Sequence, residues 1–131
     1  MRVILAEKPS VAQSIAAVLG ADQKKNGYLQ GENDLVSWCI GHLIELAPPE
    51  IYDARYAKWR REDLPIVPSA WESVVSDGTK KQFAVLKDLL NRTDVDEVVC
   101  ATDAGREGEL IFRMVYEKTG CTKPVKRLWI S

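Results

Sequence analysis

The chain has 131 residues, 28% of them charged and 46% hydrophobic, the make-up of one ordinary globular domain. A chain of this length buries about two-thirds of the surface its unfolded form exposes, so it holds a core without disulfide or metal staples, and two full domains do not fit. Eighteen basic and nineteen acidic residues leave a formal charge of −1, which excludes a strongly basic nucleic-acid clamp and a self-repelling disordered tail, so any contact with phosphate has to be local.

Val3-Ile4-Leu5-Ala6 is a β-branched and aliphatic run without polar alternation, the pattern of a strand covered on both faces in a parallel sheet. Ser10 with Gln13 has the spacing of a capping box, Val11, Ile15, Val18 and Leu19 recur at helical spacing, and Gly20 is placed to end the helix. Residues 21–34 are mostly polar with Gly27 and Gly31 as breakers, and residues 35–40 read as a strand paired back on 27–30. Residues 48–68 carry four prolines and set Tyr52, Tyr56 and Trp59 among Arg55, Lys58, Arg60 and Arg61. This predicts a long ordered excursion over the surface, about 48–78. Its aromatic and basic residues could stack single-stranded DNA, or they could staple the excursion to the domain.

Regularity returns with Thr79 and Gln82 at capping-box spacing, ahead of Phe83, Leu86, Leu89 and Leu90 on one helical face. Val98-Val99-Cys100-Ala101 is another all-apolar strand. A turn over 103–106 leads into a helix from about 107 to 118, with Leu110, Ile111, Met114 and Val115 on its core side and Gly120 to end it, and a last strand follows over 125–130. Strands alternating with helices predict an α/β fold, a mainly parallel sheet flanked by helices on both faces. Cys39, Cys100 and Cys121 have no paired zinc spacing and no even count for a disulfide framework, so they read as small buried hydrophobes in a reducing, cytoplasmic compartment. The apolar runs are too short for a signal peptide or a spanning helix, and no membrane is expected. Trp38, Trp71 and Trp129 read as core or interface residues.

In sheets of this kind ligands sit beyond the carboxyl ends of the strands, where strand order reverses. Two acidic turns take such positions: Glu7-Lys8-Pro9-Ser10 after the first strand, and Asp103-Ala104-Gly105-Arg106-Glu107-Gly108-Glu109 after the strand ending at Thr102. If the two strands are neighbours, Glu7 and Asp103 face one another. Asp103 and Glu107 are four apart across a helix start, so their carboxylates can converge on one point. A hard cation such as magnesium suits that point, since it takes one or two protein carboxylates, keeps several waters and gains further ligands from substrate phosphate. Lys8 and Arg106 are then natural phosphate partners. Gly108, inside a helical pattern, costs about 1 kcal/mol relative to alanine, which predicts a close approach there. Read without the rest of the chain, Asp103 is a helix cap and Glu107 a first-turn acid at the helix's positive end, because capping acids are common.

Leu5-Ala6-Glu7-Lys8-Pro9-Ser10 resembles the amino terminus of type IA DNA topoisomerases, in particular their topoisomerase III branch. Trp38-Cys39-Ile40-Gly41-His42-Leu43, Tyr52-Asp53-Ala54-Arg55-Tyr56, Trp59, Asp63-Leu64-Pro65-Ile66-Val67-Pro68 and the segment 101–110 resemble the same branch, in order along essentially the whole chain. The resemblance implies a Toprim domain over 1–131, the metal-binding fold that topoisomerases share with bacterial-type primases and some nucleases. The acidic turn at 103–109 does not by itself separate these, so a Toprim nuclease or primase module and a noncatalytic DNA-binding module stand as alternatives.

The resemblance further implies a topoisomerase that cuts one DNA strand by tyrosine attack on phosphorus and then reseals it, without ATP. Glu7 would be the acid to the departing 3′ oxygen and the base on resealing, and Lys8 would hold the scissile phosphate. Glu7, Asp103 and Glu107 would ligate magnesium, and Arg106 would contact phosphate. Gly105 stands where the usual Asp-x-Asp-x-Glu pattern has its second aspartate, which removes a ligand and favours one ion over two. His42, the single histidine, ends a predicted strand, where it could reach DNA or pack as a structural residue. None of Tyr28, Tyr52, Tyr56 and Tyr116 has the nucleophile's context, so that residue is expected in a later domain and the fragment alone is expected to be inactive. Single-stranded DNA and the remaining domains are the expected partners, with a monomeric, nucleoid-associated protein.

Overall fold

A computed structural model describes residues 1–40 and 43–129. The strand β1 (Arg2–Ala6) is followed at once by the helix α1 (Pro9–Leu19). Three strands follow, β2 (Gln23–Lys25), β3 (Tyr28–Gln30) and β4 (Asp34–Trp38). The excursion opens with β5 (Ile44–Leu46) and the short helix α2 (Pro49–Tyr52), passes through two 3-10 turns, and returns as β6 (Ser73–Val75). The chain then runs through α3 (Lys80–Leu90), β7 (Glu97–Ala101), α4 (Arg106–Lys118) and β8 (Val125–Arg127).

Six strands form one sheet in the order β2-β3-β4-β1-β7-β8, with β1, β4, β7 and β8 parallel and β3 and β2 added as an antiparallel edge. Alternate residues of the central strands serve opposite faces, as the pleat requires. Ile4, Ala6, Val36 and Ala101 pack under α1. Val3, Leu5, Leu35, Val98 and Cys100 pack under α3 and α4 through Leu86, Leu89, Leu90, Ile111, Phe112 and Val115. The α/β expectation, with helices on both faces, is what the chain adopts. After β1 the chain builds β4 on one side and later β7 on the other, so the order reverses at the β1/β7 crevice.

Several local expectations change. Neither capping box forms. Pro9 starts α1 a residue early, which places Ser10 inside the helix and makes Lys8 its N-cap, without a side-chain bond. Thr79 closes a 3-10 turn, and its hydroxyl donates back to the Ser76 carbonyl at 3.0 Å instead of forward to the helix. On α1 the buried face is Ala12 and Ala16, whose small side chains bring helix and sheet close, and Val18 is left 87% exposed. On α4 Phe112 replaces Leu110 in the core, and Leu110 is exposed. The last strand stops at Arg127, with Leu128 and Trp129 beyond it and Ile130 outside the described residues.

Trp71 and Trp129 are exposed, not core. The three cysteines are buried and free. In the excursion Tyr52 and Arg55 bind other residues of the excursion itself and do not staple it to the domain. The Tyr52 hydroxyl accepts the Glu72 N–H at 2.8 Å, with its ring edge-on to Trp71, and Arg55 is drawn to Asp53, Asp63 and the Tyr56 ring. No helix among the described residues is long and apolar enough to cross a membrane.

Candidate metal and phosphate site

The parallel register of β1 and β7 sets Ala6 opposite Ala101, so the residues that follow emerge side by side at the strand ends. Glu7 and Asp103 meet there. The Asp103 N–H donates to Glu7 Oε1 at 3.2 Å, across 96 residues of sequence. Burial pushes the Glu7 carboxyl above the ordinary glutamate range, and the facing Asp103 carboxyl pushes it further, against the opposing pull of the Asp103 N–H and the Lys8 charge. Beneath this pair lies Cys39, which continues from β4 and donates its N–H to the Ala6 carbonyl at 3.0 Å. Burial, with the Glu7 charge second, drives its thiol up to about 12, so it stays protonated and is no thiolate ligand.

Lys8 caps α1 and Arg106 opens α4. Both are exposed, and neither forms an ion pair with any described residue. Two helix N-termini therefore end beside the carboxylates, each with a cation, and their free N–H groups suit an anion. Glu107 lies in the first turn of α4, exposed. Among the described residues no three His, Cys, Asp or Glu side chains close around a common point. The structure brings Glu7 and Asp103 together, while Glu107 stands one helical turn along and has a partner of its own. His42 lies outside the described residues.

The donor set fits a hard divalent ion. Two carboxylates, one raised by burial and by its like-charged neighbour, form a centre that a cation would relieve. Their open side leaves room for water or phosphate oxygens, the mixed coordination that magnesium prefers.

Sequence reasoning left out what holds the centre in place. A Cβ built on Gly108 would sit 2.1 Å from the Asp103 carbonyl oxygen. The close approach that this glycine signalled is therefore the acidic turn's own backbone. From the other side Arg127 reaches over the end of β7. It donates to Asp103 O at 2.7 Å, Thr102 Oγ1 at 3.1 Å and Cys100 Sγ at 2.8 Å, and its Nε lies 3.8 Å from Glu109. β8 reads Val-Lys-Arg, and nothing in its sequence singles out Arg127 from the lysine beside it.

Among curated proteins the chain is similar to three called DNA topoisomerase 3. It is 55% identical over 130 residues to that of Shouchella clausii, and 54% identical over 129 residues to those of Bacillus anthracis and Bacillus licheniformis. These alignments cover 98–99% of the chain and 18% of each relative, so the chain spans less than a fifth of the relatives' length. The region matched is amino-terminal. Residues 2–131 match the Toprim domain, and a crevice where acids from two adjacent parallel strands meet at the point of strand reversal is consistent with that match: the chain belongs to the Toprim family.

Proposed function

We propose that this chain is the magnesium- and phosphate-binding part of a type IA DNA topoisomerase of the topoisomerase III kind. Toprim domains bind divalent metal, and the observation that carries the reading is the Glu7–Asp103 contact at the reversal point of the sheet. Glu7 and Asp103 hold magnesium directly, and Glu107 completes the set from the first turn of α4. Magnesium held by these residues would supply charge neutralisation of the phosphate oxygens. Lys8 and Arg106 hold the phosphate on either side, from the starts of two helices.

In strand cleavage a tyrosine oxygen, outside these 131 residues, bonds to phosphorus as the bond to the 3′ oxygen breaks, and the phosphodiester is stored rather than hydrolysed. Glu7 gives its proton to the departing 3′ oxygen and takes it back on resealing. The upward shift of its carboxyl supports that role, because a carboxyl that holds its proton more firmly is better placed to give it to the departing oxygen. DNA in single-stranded form, the remaining domains of a longer monomeric protein and a cytoplasmic, nucleoid-associated setting complete the proposal. The three free buried cysteines agree with a reducing compartment.

Calorimetric titration of the chain with magnesium tests the centre: one site is expected, lost in Glu7→Gln and in Asp103→Asn. Two tight carboxylate-dependent sites would refute the single-ion reading. Joined to the rest of a topoisomerase, Glu7→Gln should abolish cleavage and resealing, whereas a noncatalytic DNA module would keep both. The chain alone should not relax supercoiled DNA, and relaxation by it would overturn the assignment of the nucleophile.

A further inference from the structure

We propose that Arg127 is the positioning residue of the acidic site, fixing the Asp103 peptide so that the carboxylates of Asp103 and Glu7 stay opposed across the crevice. The proposal rests on the reading of Glu7 and Asp103 as metal ligands. It adds a residue that touches neither ion nor phosphate and acts through Asp103.

The Asp103 peptide is held from three directions. Its N–H goes to Glu7 Oε1 at 3.2 Å, its C=O takes Arg127 Nη2 at 2.7 Å, and its carbonyl lies against Gly108, where a Cβ would come within 2.1 Å. Only one of these three is a strong charge-assisted bond from a group outside the ligand pair, and that is the guanidinium. Arg127 is itself fixed. Its other terminal nitrogen, Nη1, bonds to Thr102 Oγ1 at 3.1 Å and Cys100 Sγ at 2.8 Å, and Nε faces Glu109 Oε2 at 3.8 Å, a carboxylate whose other oxygen faces Arg113 at 3.6 Å.

All three nitrogens of the guanidinium are thus in use, spanning the end of β7, the acidic turn and the first turn of α4. A planar fork bridges these three directions at once, and a lysine ammonium on a flexible stem does not. The side chain is 23% exposed, so water competes little for its donors. The logic is that of a metal site, where groups behind the ligands set their aim and their loss typically weakens binding about 10- to 100-fold.

The test uses the 131-residue chain unaltered, with Arg127→Ala, with Arg127→Lys and with Glu7→Gln. Mn2+ affinity is followed by electron paramagnetic resonance, and amide hydrogen exchange at Asp103 and along β1 by NMR without metal. Both Arg127 variants are expected to lose Mn2+ affinity by about 10-fold or more. Protection at the Asp103 amide should be lost while the amides of β1 keep theirs, a local pattern that general destabilisation would not give. Arg127→Lys keeps the charge and serves if Arg127→Ala fails to fold. A folded Arg127 variant that binds Mn2+ as the unaltered chain does overturns the proposal. If the unaltered chain shows no Mn2+ binding that Glu7→Gln removes, it is the metal reading that fails. The Asp103 amide then decides the positioning claim alone: protection lost in the Arg127 variants supports it, and protection kept overturns it.

Discussion

Glu7 carries a carboxyl that folding makes harder to ionise, first by burial and then through Asp103. The folded chain therefore binds the Glu7 proton more tightly than the unfolded chain. Stability falls as pH rises through the window just above 4.5, the ordinary glutamate value, and stays lower beyond it. Glu7→Gln keeps the shape and an acceptor for the Asp103 N–H but carries no charge. It is expected to melt higher than the unaltered chain at neutral pH, with the gap closing as the pH falls below the glutamate range. A variant that melts lower at neutral pH would mean that the charged bond to Asp103 outweighs desolvation. Gly108 sets two effects in opposition. Alanine there would gain about 1 kcal/mol of helix propensity, but its Cβ would meet the Asp103 carbonyl at 2.1 Å. That carbonyl is held by Arg127 and cannot step aside, and overpacking costs about 1–3 kcal/mol. Gly108→Ala is therefore expected to lower the midpoint of urea denaturation and to weaken divalent binding with it. The glycine was legible as a mark of close approach, but the partner was not, because nothing in the spacing distinguishes a ligand from the turn's own backbone.

At the scale of elements, periodicity shows most of what is there: β1, β7 and the three long helices are read from their apolar patterns to within about two residues. It does not show where a polar side chain goes. Gln82 has capping-box spacing, yet it is buried, and its amide donates to Trp38 O at 2.8 Å, Ser37 Oγ at 3.1 Å and Gly27 O at 3.3 Å. It ties α3 to the end of β4 and to the turn between β2 and β3, contacts formed only after the sheet is assembled. Gln82→Leu preserves helix propensity and bulk but leaves buried acceptors unpaired, at a cost of about 1–3 kcal/mol. Equilibrium unfolding should show that loss, and an unchanged midpoint would mean that water replaces the amide. The short strands β2, β5 and β6 escaped the sequence reading because three-residue strands are set by their neighbours, not by their own pattern.

For the whole molecule, the decisive fact was the one that composition could not supply. Two apolar strands followed by acidic turns can be recognised in the sequence, but their adjacency follows from sheet order, and only β7 pairing directly with β1 brings Glu7 to Asp103. The same scale governs how the chain would meet DNA under the proposed function. A net charge of −1 gives no long-range attraction, so under that proposal binding would fall to the exposed cations at the crevice, Lys8 and Arg106. Arg55 and Arg60 face acids of their own excursion and add little. Each phosphate neutralised on a single strand contributes about −0.7 to the slope of log affinity against log salt. Two such contacts predict a slope of about −1.4 for an oligothymidylate titrated in buffer without divalent ions. Lys8→Ala and Arg106→Ala should each bring that slope to about half, since each removes one of the two counterion releases. A slope three times steeper that survives both substitutions would move the DNA surface to the excursion, where Trp59 stands 76% exposed beside Lys58 and Arg61.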